Sequence, residues 1–562
     1  MIRYQSQHQL SIEEFKTPFE IKLSCENRWV KLAEALPWDR LVAVYCRTLS
    51  PKHGRPVINP RIVIGALIIK HKEGLSDEDT IIAIQENVYQ QYFLGLHQYQ
   101  YNPVFDPSLF VTIRKRVGVE AFDEMVLELI TIMNENHSMS SAPPPPSLFP
   151  PATGEGTEEP SSHASSSAVD GVDVSSPTSS PSEPNEGMVI VDLTVAPADI
   201  AYPTDMELLN TAREKTEELI DTIYHAASTG SDRDKPRTYR KKARKDYLAF
   251  AKKRKKSMKT IRKALRKQLG YVGRNIKSIH SLLDTTPDCL SFAQRKTLWV
   301  VQELYRQQKE MYDTKTHRIA DRIVSIPQPH VRPIVRGKAK ASTEFGAQVS
   351  GSVVNGIARV HRIAWDAYNE ASDFQEQVEE YKRTYGHYPA VALADKKYGT
   401  RENRAFLKER GIRYGGTPLG RPKKEDAANP LLPKQVTNQR NHIEGKFGTG
   451  KRAYGLDCIK ARRCDTSASW IATIFFVMNL QVFLKSLGAS FLSFVYSAFT
   501  ELAGWWELCF TPCSSYFYRS KTFSANPTYV LTTSFNLSIE YPIGSSNVSA
   551  ACKTRSVYLF AS

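Results

Sequence analysis

Fifty-one residues, His137 to Gly187, divide this chain more sharply than any other feature of its sequence. They hold fourteen Ser and ten Pro among seven acids, with no Lys or Arg. Such a composition cannot bury enough apolar surface to offset the entropy of ordering it. The segment reads as a disordered acidic linker, so folding is confined to the residues before 137 and after 187. With 562 residues in all, there is room for about three domains with sizeable cores.

Ahead of the linker, residues 16–133 read as helical. Asn59-Pro60 opens an apolar run over Ile62–Ile69, and Gly74 stops it. Ser76 then caps a further helix, roughly 77–90, whose first turn is acidic. Another follows near 108–116 and carries Arg114 and Arg116. Short helices joined by Gly or Pro turns fit a helix-turn-helix DNA reader, and equally a small helical bundle. The first fifteen residues are polar and lack the apolar core of a signal peptide.

Beyond the linker the pattern changes to alternating strands and helices. Met188–Val191 is apolar on both faces, as buried strands are, and runs into Asp192. Residues 205–325 form a long helical block. Asn355-Gly356, flanked by 345–354 and 356–365, is a two-residue hairpin signal. Pro389–Ala394 is a second apolar strand, ending in Asp395. A helix over 401–410, stopped by Gly411, leads to a short strand near 412–414. The sum is an α/β fold with a mixed sheet, split by a helical insertion of roughly 120 residues.

Charge is concentrated in that insertion. The chain carries a net +16, yet Arg233–Lys277 alone holds 20 Lys or Arg against Asp234 and Asp246, a local +18. The remainder is close to neutral, so the basic character belongs to one element. A solvated helix face explains scattered lysines; this density favours contact with nucleic acid, Lys252, Lys253, Arg254, Lys255 and Lys256 being its densest run. Eight cysteines contain no CxxC pair, which argues against a zinc site and for reduced cytoplasmic thiols.

Asp192 and Asp395 each end an apolar strand, and acids at strand ends of an open sheet converge on one crevice. Glu444 lies on a later helix, with Arg440 four residues before it and Lys451 seven after, steps that return to one helical face. Three carboxylates could hold two Mg²⁺ ions about 3.5–4 Å apart. Taken singly, an Asp at a strand end is more often a loop residue or helix cap. Gly445, Gly448 and Gly450 each cost a helix about 1 kcal/mol relative to Ala, which predicts fraying after Phe447 and places Lys451 on a turn.

These residues carry a resemblance. Asp192-Leu-Thr194, with Pro197, Asp199 and Tyr202 to Asp205, resembles the first block of DDE transposases of bacterial insertion sequences, groups four and five. Ala394 to Gly399, then Arg401 to Asn403, is similar to their second block. Arg440, Glu444 and Lys451, followed by Arg452 to Leu456, resemble the third, a Y-R-E-K signature. Gly54 to Leu96 is similar to the helical DNA-binding domain of these enzymes. The resemblance covers 16–133 and 188–487. It implies an RNase H-like mixed sheet with a large helical insertion (205–325), preceded by an all-α N-terminal DNA-binding domain. Asp192, Asp395 and Glu444 would be the catalytic, metal-binding triad for two Mg²⁺, with Mn²⁺ possible. Arg440 and Lys451 would contact phosphates of the element's end. The activity implied is cleavage of double-stranded DNA and strand transfer by a homodimer in the bacterial cytoplasm, associated with the nucleoid. No small-molecule substrate or membrane partner is implied.

Two departures matter. Thr437 stands at the tyrosine of the signature, and Lys397 where many relatives have glycine. Thr437, together with the unmatched tail 488–562, keeps open a second reading, a catalytically weak or inactive DNA-binding regulator of transposition. Near the C-terminus, Trp470–Leu487 is strongly apolar but includes Asn479, Gln481 and Lys485, which favours a core helix under the sheet over a membrane span. Residues 488–562 match no family pattern. They read as an unassigned, non-homologous extension, although Ala489–Trp506 is apolar enough to seek a membrane.

Overall fold

A computed structural model of the chain describes residues 22–49, 57–140, 184–227, 235–335, 343–416 and 431–509, the side chains of 136–140, 431–437 and 489–509 excepted. The acidic stretch 141–183 and the chain beyond 509 lie outside the described residues. Two compact units divide the chain, 1–498 and 499–562; of the second only the end of one helix is described.

Before the linker every named element is a helix: α1 (Arg28–Ala35), α2 (Trp38–Arg47), α3 (Pro60–Glu73), α4 (Asp77–Glu86), α5 (Val88–Phe93), α6 (Leu109–Arg116) and α7 (Val119–Ser140). The Asn59 side chain accepts from the Arg61 N–H at the start of α3, and Gly74 ends it at φ 70°. Val63, Ile64, Ala66, Leu67, Ile68 and Ile69 are all buried, as a continuous apolar run requires. The helix expected over 77–90 is instead two. Asn87 interrupts it because its side chain accepts from the N–H groups of Tyr89 and Gln90, starting α5 afresh. α7 also runs on through residues 137–140, where the linker was expected to begin.

The sheet has six strands: β1 (Met188–Pro197), β2 (Arg332–Val335), β3 (Thr343–Val354), β4 (Ile357–Ala364), β5 (Val391–Ala394) and β6 (Arg413–Tyr414). Their order is β2-β3-β1-β5-β6, with β4 also paired to β3. β1 is antiparallel to β3 and parallel to β5, and β5 is parallel to β6, so the sheet is mixed as expected. β3 and β4 meet at Asn355 (φ 49°) and Gly356 (φ 80°), the left-handed pair that a tight hairpin demands. The sequence reading passed over β2 and the helix α12 (Phe374–Tyr385), although Phe374, Val378 and Tyr381 recur at helical spacing and are buried.

The two faces of the sheet bury different helices. Val189, Val191, Ala392 and Ala394 pack against α12 and α13 (Arg401–Glu409). Ile190, Val353 and Leu393 face the other way, into a core shared with α14 (Leu431–Ala453), α15 (Cys464–Cys509) and the N-terminal helices. Alternation along β1 thus covers both faces.

α15 is the shared strut. It is long and apolar enough to cross a membrane, but 78% of its apolar window is buried inside the protein. Its Asn479 accepts from the Ala358 N–H (2.9 Å) and donates to the Ala358 carbonyl (2.7 Å), satisfying the outer side of β4. Trp470 packs edge-on against His71 and under the Lys70 ammonium at 4.7 Å. The helix passes through Gly488 without a break. A second link joins Arg359 of β4, only 7% exposed, to Asp123 of α7 through two hydrogen bonds (3.0 and 2.7 Å), and to Glu380 of α12 (2.9 Å). The N-terminal helices therefore share their core with the sheet.

The insertion does not share that core. Of its helices α8 (Asp205–Ala227), α9 (Arg240–Ala251), α10 (Met258–Leu283) and α11 (Phe292–Thr314), α8, α10 and α11 enclose two apolar clusters of their own. Asp205, at its entry, accepts from Arg322 (2.7 Å) and Gln308 (3.0 Å), which clips entry to exit.

Candidate active site

Asp192 lies inside β1 rather than at its end, which corrects the sequence expectation. β1 continues to Pro197 because β3 pairs with it throughout, Asp192 opposite Gly351. On the other side, parallel pairing with β5 stops at Val191 and Ala394. Asp192 and Asp395 are therefore the next positions along two neighbouring strands, at the point where the sheet opens. Asp192 shares the parity of Ile190 and so the face covered by α14. Asp395 is held by its own turn: its Oδ1 accepts from the Lys396 N–H at 2.7 Å.

Glu444 reaches this place from α14. The helix docks through buried Ile443, Phe447 and Gly450, and a Cβ on Gly450 would lie 3.0 Å from the Met478 sulfur. The predicted fraying after Phe447 does not occur; α14 continues to Ala453. Close packing on α15 outweighs the roughly 1 kcal/mol cost of each glycine. Lys451 is accordingly helical and half-buried, about 10 Å further along the axis than Glu444. Thr437 is also on α14, but its side chain is outside the described residues.

Arg440 ties the acids together. Its guanidinium lies 3.3 Å from Asp395 Oδ1 and 3.2 Å from Glu444 Oε1. Its described partners are thus carboxylates, where the sequence reading gave it a phosphate. Burial pushes the Asp192 carboxyl up to about 6, with the charges of Asp395 and Glu444 adding to the rise; the Leu193 N–H and Arg440 oppose it. The mutual influence of these groups marks one electrostatic cluster.

Sequence reasoning missed Tyr398, three residues after Asp395. Its ring is fully buried and its hydroxyl has no hydrogen-bond partner among the described residues. Burial, with Glu370 and Asp192 nearby, holds that hydroxyl protonated. Its place within the second sequence block is the only signal that could have marked it. Lys397 pairs with Glu370 at 2.8 Å, pointing its charge at a neighbouring acid.

Three carboxylates are hard oxygen donors of the kind Mg²⁺ takes, and Arg440 already supplies cationic charge between two of them. By donor chemistry the set fits a divalent ion. In the present side-chain arrangement no group of three His, Cys, Asp or Glu among the described residues is close enough to hold one.

The densest basic run sits elsewhere. Lys252, Lys253, Arg254, Lys255 and Lys256 are all exposed and occupy the turn between α9 and α10, not a helix face. Their described contacts are local, such as Lys256 Nζ 4.8 Å over the Phe250 ring. The described cysteines, Cys25, Cys46, Cys289, Cys458 and Cys464, are free thiols.

Comparison with known proteins adds two matches. Residues 392–481 match the family described as Transposase DDE domain, and residues 18–116 the family described as Transposase domain (DUF772). Both agree with a DDE transposase of insertion sequences. The first range includes Asp395, Arg440, Glu444 and Lys451; Asp192 lies outside both. A curated relative, "Uncharacterized protein ORF8 in nfe locus" of Rhizobium meliloti, is 30% identical over 112 residues, 20% of this chain. The match spans 54% of that relative's length. No solved structure matches.

Proposed function

We propose that this chain, with its two transposase domain matches, is an RNase H-like DDE transposase that binds the ends of an insertion sequence, cuts them and joins them to target DNA. The observation that carries the reading is Arg440 bridging Asp395 and Glu444, with the charges of both acids acting on the buried Asp192 carboxyl. An antiparallel half and a parallel half meeting at β1 support the RNase H-like assignment.

Asp192 is the rigid member, paired along β1 and β3. Asp395 is fixed by its turn, and Glu444 by the apolar docking of α14. Together they would hold two Mg²⁺, or Mn²⁺, whose bound form supplies Lewis-acid activation of water or a 3′-hydroxyl and neutralises the leaving oxygen. Asp192 must be ionised to serve, so neutral or higher pH favours the competent state. Arg440, once released from the acids, is free to turn to a DNA phosphate, and Lys451 stands about three turns along the same helix. The N-terminal helices would read the element's ends. The exposed Lys252–Lys256 turn would hold flanking or target DNA through sequence-indifferent charge. A homodimer would pair the two ends, in the cytoplasm at the nucleoid.

The test incubates the purified chain with labelled duplexes carrying the element's ends, with and without Mg²⁺. We expect metal-dependent nicks and joined products, lost in Asp192→Asn, Asp395→Asn and Glu444→Gln while binding persists. Binding without cleavage by the unaltered chain defeats the enzyme reading and leaves the regulator suggested by Thr437.

A further inference from the structure

On the side of α14 away from Glu444, α14 and α15 enclose an open groove of about 560 Å³. Asn441, Gly445, Thr449 and Arg452 recur along it at helical steps, with Thr449 roughly 140° around the helix from Glu444. α15 contributes Gln481 and Lys485 to the facing wall.

The charge of this groove is one-sided. Lys446, Arg452, Lys485 and His442 line it, and no Asp or Glu does among the described residues. None of Lys446, Arg452 and Lys485 has a described ion-pair partner, unlike Arg440 on another face of the same helix. Lys446 is half-buried, and burial together with Lys485 makes its charge harder to keep. A concave surface lined by charge of one sign raises the local potential for an anion. A Cβ on Gly445 would meet nothing within 4 Å, so the wall is open to a close approach there. Cations gathered without an internal counter-charge call for an external polyanion.

We propose that this groove is a further DNA contact, apart from the Lys252–Lys256 turn, taking the phosphodiester backbone of a duplex segment other than the one at the carboxylates. The proposal rests on the transposase reading, because that reading makes DNA the polyanion at hand. Neighbouring phosphates would lie against Lys446, Arg452 and Lys485, with Asn441 and Gln481 donating hydrogen bonds to their oxygens. Such contact reads no sequence.

The test measures binding of the full chain to a random-sequence duplex by fluorescence anisotropy over a salt series. Lys446→Gln/Arg452→Gln/Lys485→Gln is compared with the charge-keeping Lys446→Arg/Arg452→Lys/Lys485→Arg and with the unaltered chain. Neutralising three phosphate contacts is expected to lower the slope of log K against log salt by up to about 2.7, and to weaken binding at 0.1 M salt at least tenfold. The charge-keeping variant should retain most of the slope. An unchanged slope in the neutral variant overturns the groove as a DNA contact. So does a charge-keeping variant that loses as much as the neutral one, since the loss would then come from packing. Failure of the unaltered chain to bind any duplex overturns the transposase reading itself.

Discussion

The N-terminal helices and the inserted helices are both all-helical segments hung on one sheet, and they relate to it in opposite ways. The N-terminal set is separated from the sheet by the acidic stretch in sequence, yet it shares an apolar core with β1, β3, β4, α14 and α15. The insertion is continuous in sequence with β1 and β2, yet it encloses two clusters of its own. Chain continuity is therefore a poor guide to which parts unfold together. What joins elements is buried apolar surface and desolvated ion pairs. The contrast suits the proposed chemistry: a segment that locates DNA ends gains from rigid attachment to the carboxylates, and a basic arm gains from freedom to follow a backbone.

The largest expected effect tests the fused side. Asp123→Ala strips Arg359 of its bidentate partner while the guanidinium stays buried. Combined with Glu380→Ala, which removes the remaining carboxylate at 2.9 Å, it should cost about 3–5 kcal/mol and lower one transition seen alike by probes in residues 23–140 and in the sheet. Separate transitions for the two regions would break the comparison. Next in size, Leu304→Ala opens a cavity in the insertion core and should cost about 3 kcal/mol. By hydrogen exchange, the loss of protection should stay within 205–325 and leave α3 and β1 unchanged. Loss spreading to α3 would make the insertion part of the main cooperative unit.

A smaller effect concerns the site itself. Asp192 has a folded pKa of about 6, above its ordinary value near 4. The native state therefore holds the proton more tightly, and metal-free stability falls as pH rises from roughly 4 through 6. Asp192→Asn removes that loss. It should stabilise the metal-free chain at pH 7 by roughly 1–2 kcal/mol and flatten the pH dependence of Tm in this window. A variant less stable than its parent at pH 7 would contradict the burial of Asp192 beside Asp395 and Glu444.

Local signals were legible where local chemistry decides. Asn355-Gly356 marks the hairpin because only a left-handed pair makes that turn. Ile62–Ile69 marks a buried helix, and Asn479 within an apolar run marks a protein core rather than a lipid span. The misses share a cause in distant contacts. Pairing with β3 carries β1 past Asp192 to Pro197, and nothing near residue 192 encodes that partner. Packing of Gly450 on Met478 holds α14 together through three glycines. The composition of 137–187 suggested separate bodies on either side, whereas Trp470 against Lys70 and His71 joins them. In the site, Asp395, Glu444 and the four-residue step to Arg440 could be read in advance. That Arg440 rests on the acids, and that Tyr398 is buried beside Asp192, could not.

The central claim is that Asp192, Asp395 and Glu444 act as one metal-holding set, and the most direct measurement is Mn²⁺ binding followed by electron paramagnetic resonance at pH 7.5. The account predicts up to two bound ions per chain, weakened at least about tenfold by Asp192→Asn, Asp395→Asn or Glu444→Gln. Equal stoichiometry and affinity in the parent and in all three variants would contradict it.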